Sequence, residues 1–156
     1  MKFSDGYWQM RPGMTPYHPA QVLEVETQPG FMTIYAPVKK QVERGDSLNL
    51  PMLTVRFSSP LENIIRVQIL HHIGGQSHRP EFVIHQQPHS PAVIAEDDFL
   101  ATLTSGNLSA QVKKGGDWLV EYKAGEKTIT SSGWRGMGFV DTPERRFIHE
   151  QLNLGV

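Results

Sequence analysis

An antiparallel β-sandwich is the fold class the sequence predicts, and three observations predict it. Of 156 residues, 30 are Val, Ile or Thr and only 7 are Ala, a balance that suits strands better than helices. Another 25 are Gly or Pro, enough to close many turns. Short runs also alternate apolar and polar residues and end on turn residues at close intervals, the pattern of a sandwich or barrel.

Taken in order, Tyr7-Trp8 lies between Gly6 and Pro12-Gly13. Residues 21–26 alternate, with Leu23 and Val25 on one face and Glu24 and Glu26 on the other, and end at Pro29-Gly30. Residues 31–36 follow directly, so the two runs predict a hairpin. Residues 52–58 point Leu53, Val55 and Phe57 inward and Thr54, Arg56 and Ser58 outward, and residues 64–71 repeat the pattern with Ile65, Val67 and Ile69. Solvent on one face of each strand is what antiparallel sheets permit. Residues 99–104, 107–113, 117–123 and 127–130 then form a predicted meander punctuated by Ser105-Gly106, Gly115-Gly116 and Ala124-Gly125. Within it, Leu108, Ala110 and Val112 share one face of their strand, as do Trp118, Val120 and Tyr122.

Two stretches are ambiguous. Residues 72–91 carry Gly74-Gly75, Pro80, Pro88 and Pro91 and read as a long surface loop around a short strand at Phe82-Val83-Ile84. Near the end, Thr142 and Pro143 resemble a helix start, with Phe147, Ile148, Gln151 and Leu152 on a helical face. Ile148, Glu150, Leu152 and Leu154 also alternate as a strand, which is the preferred reading.

Length and composition bound the function. A 17.6 kDa chain is expected to form a single domain over residues 1–156. Fifteen basic against sixteen acidic residues give no field to steer it onto nucleic acid or an anionic membrane, so neither partner is expected. Without Cys there is no disulfide, thiolate metal site or thiol catalysis. Residues 1–6 put Asp5 and Gly6 where a signal peptide would need its apolar stretch, and no 18-residue apolar run occurs. A soluble, cytoplasmic protein is the expectation.

Residues that could carry chemistry are few. His71, His72, His78, His85 and His89 cluster in sequence, and neutral imidazoles converging on a point could hold a divalent metal. His71 and His72 would face opposite sides of a strand, however, and Pro88 spoils the helix that His85-x-x-x-His89 needs. Solvated loop histidines are the favoured reading, with no metal site and no cofactor. Glu24 and Glu26 share a strand face about 7 Å apart, against the roughly 5 Å of a retaining carboxylate pair, but such spacing is the ordinary mark of a solvated face. Asp97-Asp98 reads as a turn. No G-x-S-x-G, G-x-G-x-x-G or Walker A pattern occurs, and Gly136-Met137-Gly138 reads as a bend or bulge. Tyr7, Trp8, Tyr17, Trp118 and Trp134 could stack sugar rings. Trp118 is in phase with the core, whereas Trp134, between Gly133 and Arg135-Gly136, is the best candidate for exposure.

Several segments together carry a resemblance. Residues 1–6 with Trp8 and Pro12-Gly13, His18-Pro19 with residues 21–26, and Thr54-Val55-Arg56-Phe57 with Ser59-Pro60 resemble the start of bacterial α-xylosidases of glycoside hydrolase family 31. The firmest match is Ser105-Gly106-Asn107-Leu108-Ser109-Ala110, continuing through Lys114-Gly115, Trp118 and Gly125-Glu126 to Leu152-Asn153-Leu154-Gly155-Val156. Residues 72–91 match little. The resemblance implies a β-sandwich like that of galactose mutarotase, placed before a catalytic (β/α)8 barrel that holds both catalytic aspartates. It implies that the chain is truncated before that barrel and has no catalytic residue of its own. Its partners would be the parent chain's barrel, the carbohydrate substrate in the full-length enzyme, and a second copy in a homo-oligomer. Two alternatives stand beside it: a free-standing carbohydrate-binding sandwich, and a mutarotase-like epimerase using a carboxylate such as Glu24 with His71 or His85.

Overall fold

A computed structural model describes residues 4–5, 9–48, 50–70 and 92–153. Among them the strands are β1 (Ser4–Asp5), β2 (Gln9–Met10), β3 (Thr15–Tyr17), β4 (Glu24–Gln28), β5 (Phe31–Pro37), β6 (Met52–Ser58), β7 (Arg66–Leu70), β8 (Ala92–Glu96), β9 (Leu100–Ser105), β10 (Leu108–Lys113), β11 (Val120–Ala124), β12 (Lys127–Ser132), β13 (Met137–Asp141) and β14 (Arg146–Glu150). One 3₁₀ turn, Arg44–Ser47, interrupts them. The described residues form no α-helix and no helix long and apolar enough to cross a membrane.

Every paired strand is antiparallel. One sheet runs β4-β5-β6-β7, a second β12-β11-β10-β9-β8, a third β14-β13-β3, and β1 pairs with β2 alone. The core lies between the first two. Met32, Ile34 and Ala36 of β5 and Val55 and Phe57 of β6 form one wall; Ala101 and Leu103 of β9, Ala110 and Val112 of β10 and Val120 of β11 form the other, with Trp118 and Met137. Register evens out the layer. Leu103 stands opposite Ala110 and Ala101 opposite Val112, so each large side chain neighbours a small one. Full burial of each large apolar side chain contributes roughly 1.5–3 kcal/mol.

The period-two reading holds for most of these strands. Leu53, Val55 and Phe57 are buried, and Ile65, Val67 and Ile69 pack against the core; Trp118 is 2% exposed as expected, but it precedes β11, which begins at Val120 and not at residue 117. Residue 23 departs from it: Leu23 is 48% exposed although Val25 packs inward. Glu24 stands opposite Tyr35, yet the Ala20 amide donates to the Pro37 carbonyl. Leu23 thus precedes the regular ladder, which begins at Glu24, and it is Val22 that packs against the core before the strand starts.

Further strands have too weak a signal, or too short a run, to be read in advance. β8 follows the proline-rich stretch and shows only Ala92 and Ile94 packed on the core. β13 is buried from Met137 to Val140, so it has no polar alternation to reveal it. The bend expected at Gly136-Met137-Gly138 is instead a turn ending at Gly136, where the amide donates to the Gly133 carbonyl at 2.9 Å, followed by the start of this strand. The preferred strand reading near the end is correct over β14. Thr142 closes a hairpin and caps no helix: its hydroxyl donates to the Arg145 carbonyl at 2.7 Å, and its amide donates to the same oxygen at 3.1 Å. Tyr7, Trp8, the histidines at 71, 72, 78, 85 and 89, the strand expected at 82–84 and residues 154–156 lie outside the described residues.

Candidate functional site

The third sheet builds one wall of a hollow of about 670 Å3. Gly138 makes that wall possible, because a β-carbon there would collide with the Tyr17 carbonyl oxygen. With the backbones so close, Tyr17 stacks on Phe139 at 4.6 Å between centroids, and the His18 Nδ1–H donates to the Met137 carbonyl at 2.9 Å. His18 meets the edge of His149 at 5.9 Å. Burial holds the His18 imidazole below its usual pKa, against the opposing pull of the Met137 carbonyl; His149 and Arg135 add to the lowering. His149 Nδ1 is itself buried without a hydrogen-bond partner.

At the rim the Gly133–Gly136 turn carries Trp134 and Arg135. Arg135 has φ of 60°, a conformation that costs a residue with a β-carbon about 1 kcal/mol. The turn leaves Trp134 63% exposed, as the sequence predicts, and sets the Arg135 guanidinium over its ring at 4.2 Å. Lys39, Lys40 and Asp46 also line the hollow. Lys40 is paired with Asp117 at 2.5 Å. Asp46 Oδ2 accepts the amides of Val42 and Glu43 at 2.9 Å each, which fixes the carboxylate and holds its pKa below the ordinary value. Sequence reading singles out Trp134 but not Asp46, Lys39 or His18 as its neighbours, because 88 or more residues separate them from it in the chain.

The other polar candidates resolve as structure. Glu24 and Glu26 are exposed, and Glu26 accepts from Gln28 Nε2 at 2.6 Å and the Tyr35 hydroxyl at 2.9 Å. Asp97 forms the expected turn, its Oδ1 accepting the amides of Phe99 and Leu100 at 2.7 and 2.8 Å. His71 and His85, the partners considered for Glu24, are not among the described residues. Among those described, no group of three or more His, Asp or Glu is placed to hold a metal ion.

The Ser105-Gly106-Asn107 motif is an interlock between sheets. The Ser105 hydroxyl lies 2.7 Å from that of Ser59 and accepts the Asn63 amide at 3.1 Å, while the Asn107 amide donates to Asn63 Oδ1 at 2.7 Å. Gly106 has φ of 58° and packs against the Asn63 side chain so closely that a β-carbon would clash. These residues position strands; they touch no hollow described above.

Comparison with known proteins agrees with the motif reading. No family model matches the chain. It is 29% identical to the alpha-xylosidase XylQ of Lactiplantibacillus pentosus over 158 aligned residues, covering 100% of this chain and 20% of that protein. It is 26% identical to an alpha-xylosidase of Emericella nidulans over 147 residues, covering 90% of this chain and 19% of that protein. The chain is therefore similar to alpha-xylosidases over its full length and spans about one-fifth of the length of these curated relatives.

Proposed function

We propose that the chain is the noncatalytic N-terminal β-sandwich of a retaining α-glycosidase that hydrolyses α-xylosides or related α-glucosides. One observation carries this reading: the alignment takes in all of this chain and only a fifth of the relative. The remaining four-fifths would hold the catalytic barrel. The sandwich would pack on that barrel, shape one wall of its substrate site and contribute to subunit contacts in a homo-oligomer, in the cytoplasm. Hydrophobic residues available for such contacts include Ile148 (62% exposed) and Leu152 (41%).

A chimera tests the proposal. The matching fifth of the Lactiplantibacillus pentosus enzyme is deleted, and this chain is fused in its place. The truncated enzyme should be insoluble or inactive on p-nitrophenyl α-xyloside, and the chimera should regain turnover, whereas this chain alone should show none. A chimera no better than the truncation would overturn the proposal. Light scattering on the isolated chain tests self-association, and a clean monomer counts against it.

A further inference from the structure

We infer that a second hollow, where the first two sheets and the end of β14 meet, is a binding site for a primary aliphatic amine, its ammonium held between Tyr122 and Glu150 and its chain along an aliphatic wall. The site is independent of the glycosidase reading and shares no lining residue with the hollow beside Trp134. Its volume is about 340 Å3, enough for a small ligand. Ile65 and Val67 at β7 and Leu108 of β10 line it, together with Ile129 of β12 and Leu152 just beyond β14. The first two pack against the core, whereas Ile129 and Leu152 are exposed, so the apolar wall reaches solvent. The β11–β12 ladder slips here: Tyr122 faces Thr130 and Lys123 faces Thr128, which leaves Ile129 as an extra residue. Such bulges re-aim a side chain, in this case one that lines the hollow.

Two polar groups at this hollow are short of what an ammonium supplies. The Tyr122 hydroxyl is buried and has no hydrogen-bond partner. Glu150 lines the same hollow, and burial raises its pKa with no cation opposing the shift. The two groups sense each other, since the carboxylate adds to the upward push on the phenol. Lys123 also borders the hollow, but its ammonium lies 4.0 Å from Glu121 Oε2. A primary ammonium carries three N–H donors and the missing positive charge, so one N–H can donate to the Glu150 carboxylate and another to the Tyr122 hydroxyl oxygen. Glu150 keeps exposed surface, so the ion pair stays partly hydrated and escapes the full cost of burying two charges. An alcohol of equal length would bring one donor and no charge, and a quaternary amine no donor at all.

Calorimetry on the whole chain with n-hexylammonium, n-butylammonium and 1-hexanol tests the site. Hexylammonium should bind saturably, one per chain. Butylammonium, two methylenes shorter, should bind about tenfold more weakly, at roughly three- to fourfold per methylene. 1-Hexanol should be weaker than hexylammonium by about tenfold or more, the loss expected when a charge-assisted hydrogen bond is missing. Glu150→Gln keeps the side chain's shape and should abolish the preference for amine over alcohol. Tyr122→Phe should weaken hexylammonium by about threefold or more. No saturable binding of hexylammonium, equal affinity for 1-hexanol, or a preference for the amine that survives in Glu150→Gln would overturn the site. Butylammonium binding as tightly as hexylammonium would overturn the aliphatic wall, and wild-type affinity in Tyr122→Phe the placement of the ammonium. Should Glu150→Gln fail to fold, the comparison of hexylammonium with 1-hexanol on the natural chain decides by itself.

Discussion

The hydroxyls of Ser59 and Ser105 lie 2.7 Å apart in the interior, 46 residues apart in sequence. Ser59 ends the β6 side and Ser105 ends β9, so one buried hydrogen bond ties the two facing sheets at the same end. Ser59 also donates to the Leu61 carbonyl at 2.7 Å, which fixes the turn that brings in Asn63. Removing the Ser105 hydroxyl takes away the acceptor of the Asn63 amide and one of the Ser59 hydroxyl's partners. Ser105→Ala should therefore lower unfolding free energy by about 1–3 kcal/mol in urea titrations.

Gly106→Ala should cost at least as much as the serine change. The new β-carbon would displace Asn63 and break its bond to the Asn107 amide, besides straining a positive φ. The urea midpoint measures it, and an unchanged midpoint would show that the interlock does not hold the sheets.

Tyr122→Phe should leave stability unchanged or raise it by up to about 1 kcal/mol. The Tyr122 hydroxyl is buried without a partner, and burial together with the nearby Glu150 pushes its pKa well above the usual phenol range. Phenylalanine keeps the ring that packs against the core and removes the unpaired group. Thermal melts of the two proteins decide it.

Stability should fall as the solution is acidified below pH 6.5. The folded protein holds the His18 pKa below the ordinary imidazole value of 6.5, chiefly by burial, so below that pH the unfolded chain binds the proton first. The contribution is fully present above pH 6.5 and is lost as pH falls toward the folded-state pKa. His149 and Arg135 beside it act in the same direction as burial. Urea midpoints between pH 8 and 5 should drop in the wild type and drop less in His18→Asn.

Gly138→Ala should destabilise by about 2 kcal/mol or more, because the clash is with backbone, the Tyr17 carbonyl, and no side chain can rotate away. It should also disturb Trp134, four residues upstream, through the β3–β13 pairing. Circular dichroism melts test the first effect, and iodide quenching of tryptophan emission tests the second.

By itself the sequence determined the strands whose one face is solvated. Alternation is visible where water contrasts with core, which is why β6, β10 and β11 and the burial of Trp118 were legible. It also carried the resemblance to α-xylosidases and the exposure of Trp134, since a turn residue flanked by glycines has little to bury it. Tertiary structure alone decided what lies beside what. β13, buried nearly throughout, offered no polar phase, and Leu23 is exposed because the strand begins only at Glu24, with Val22 rather than Leu23 on the core. The hollow itself joins His18, Lys39 and Asp46 to Trp134 across about ninety residues or more of chain. Local periodicity reports only a residue's own burial; a site is a sum of pairings, and pairings belong to the folded chain.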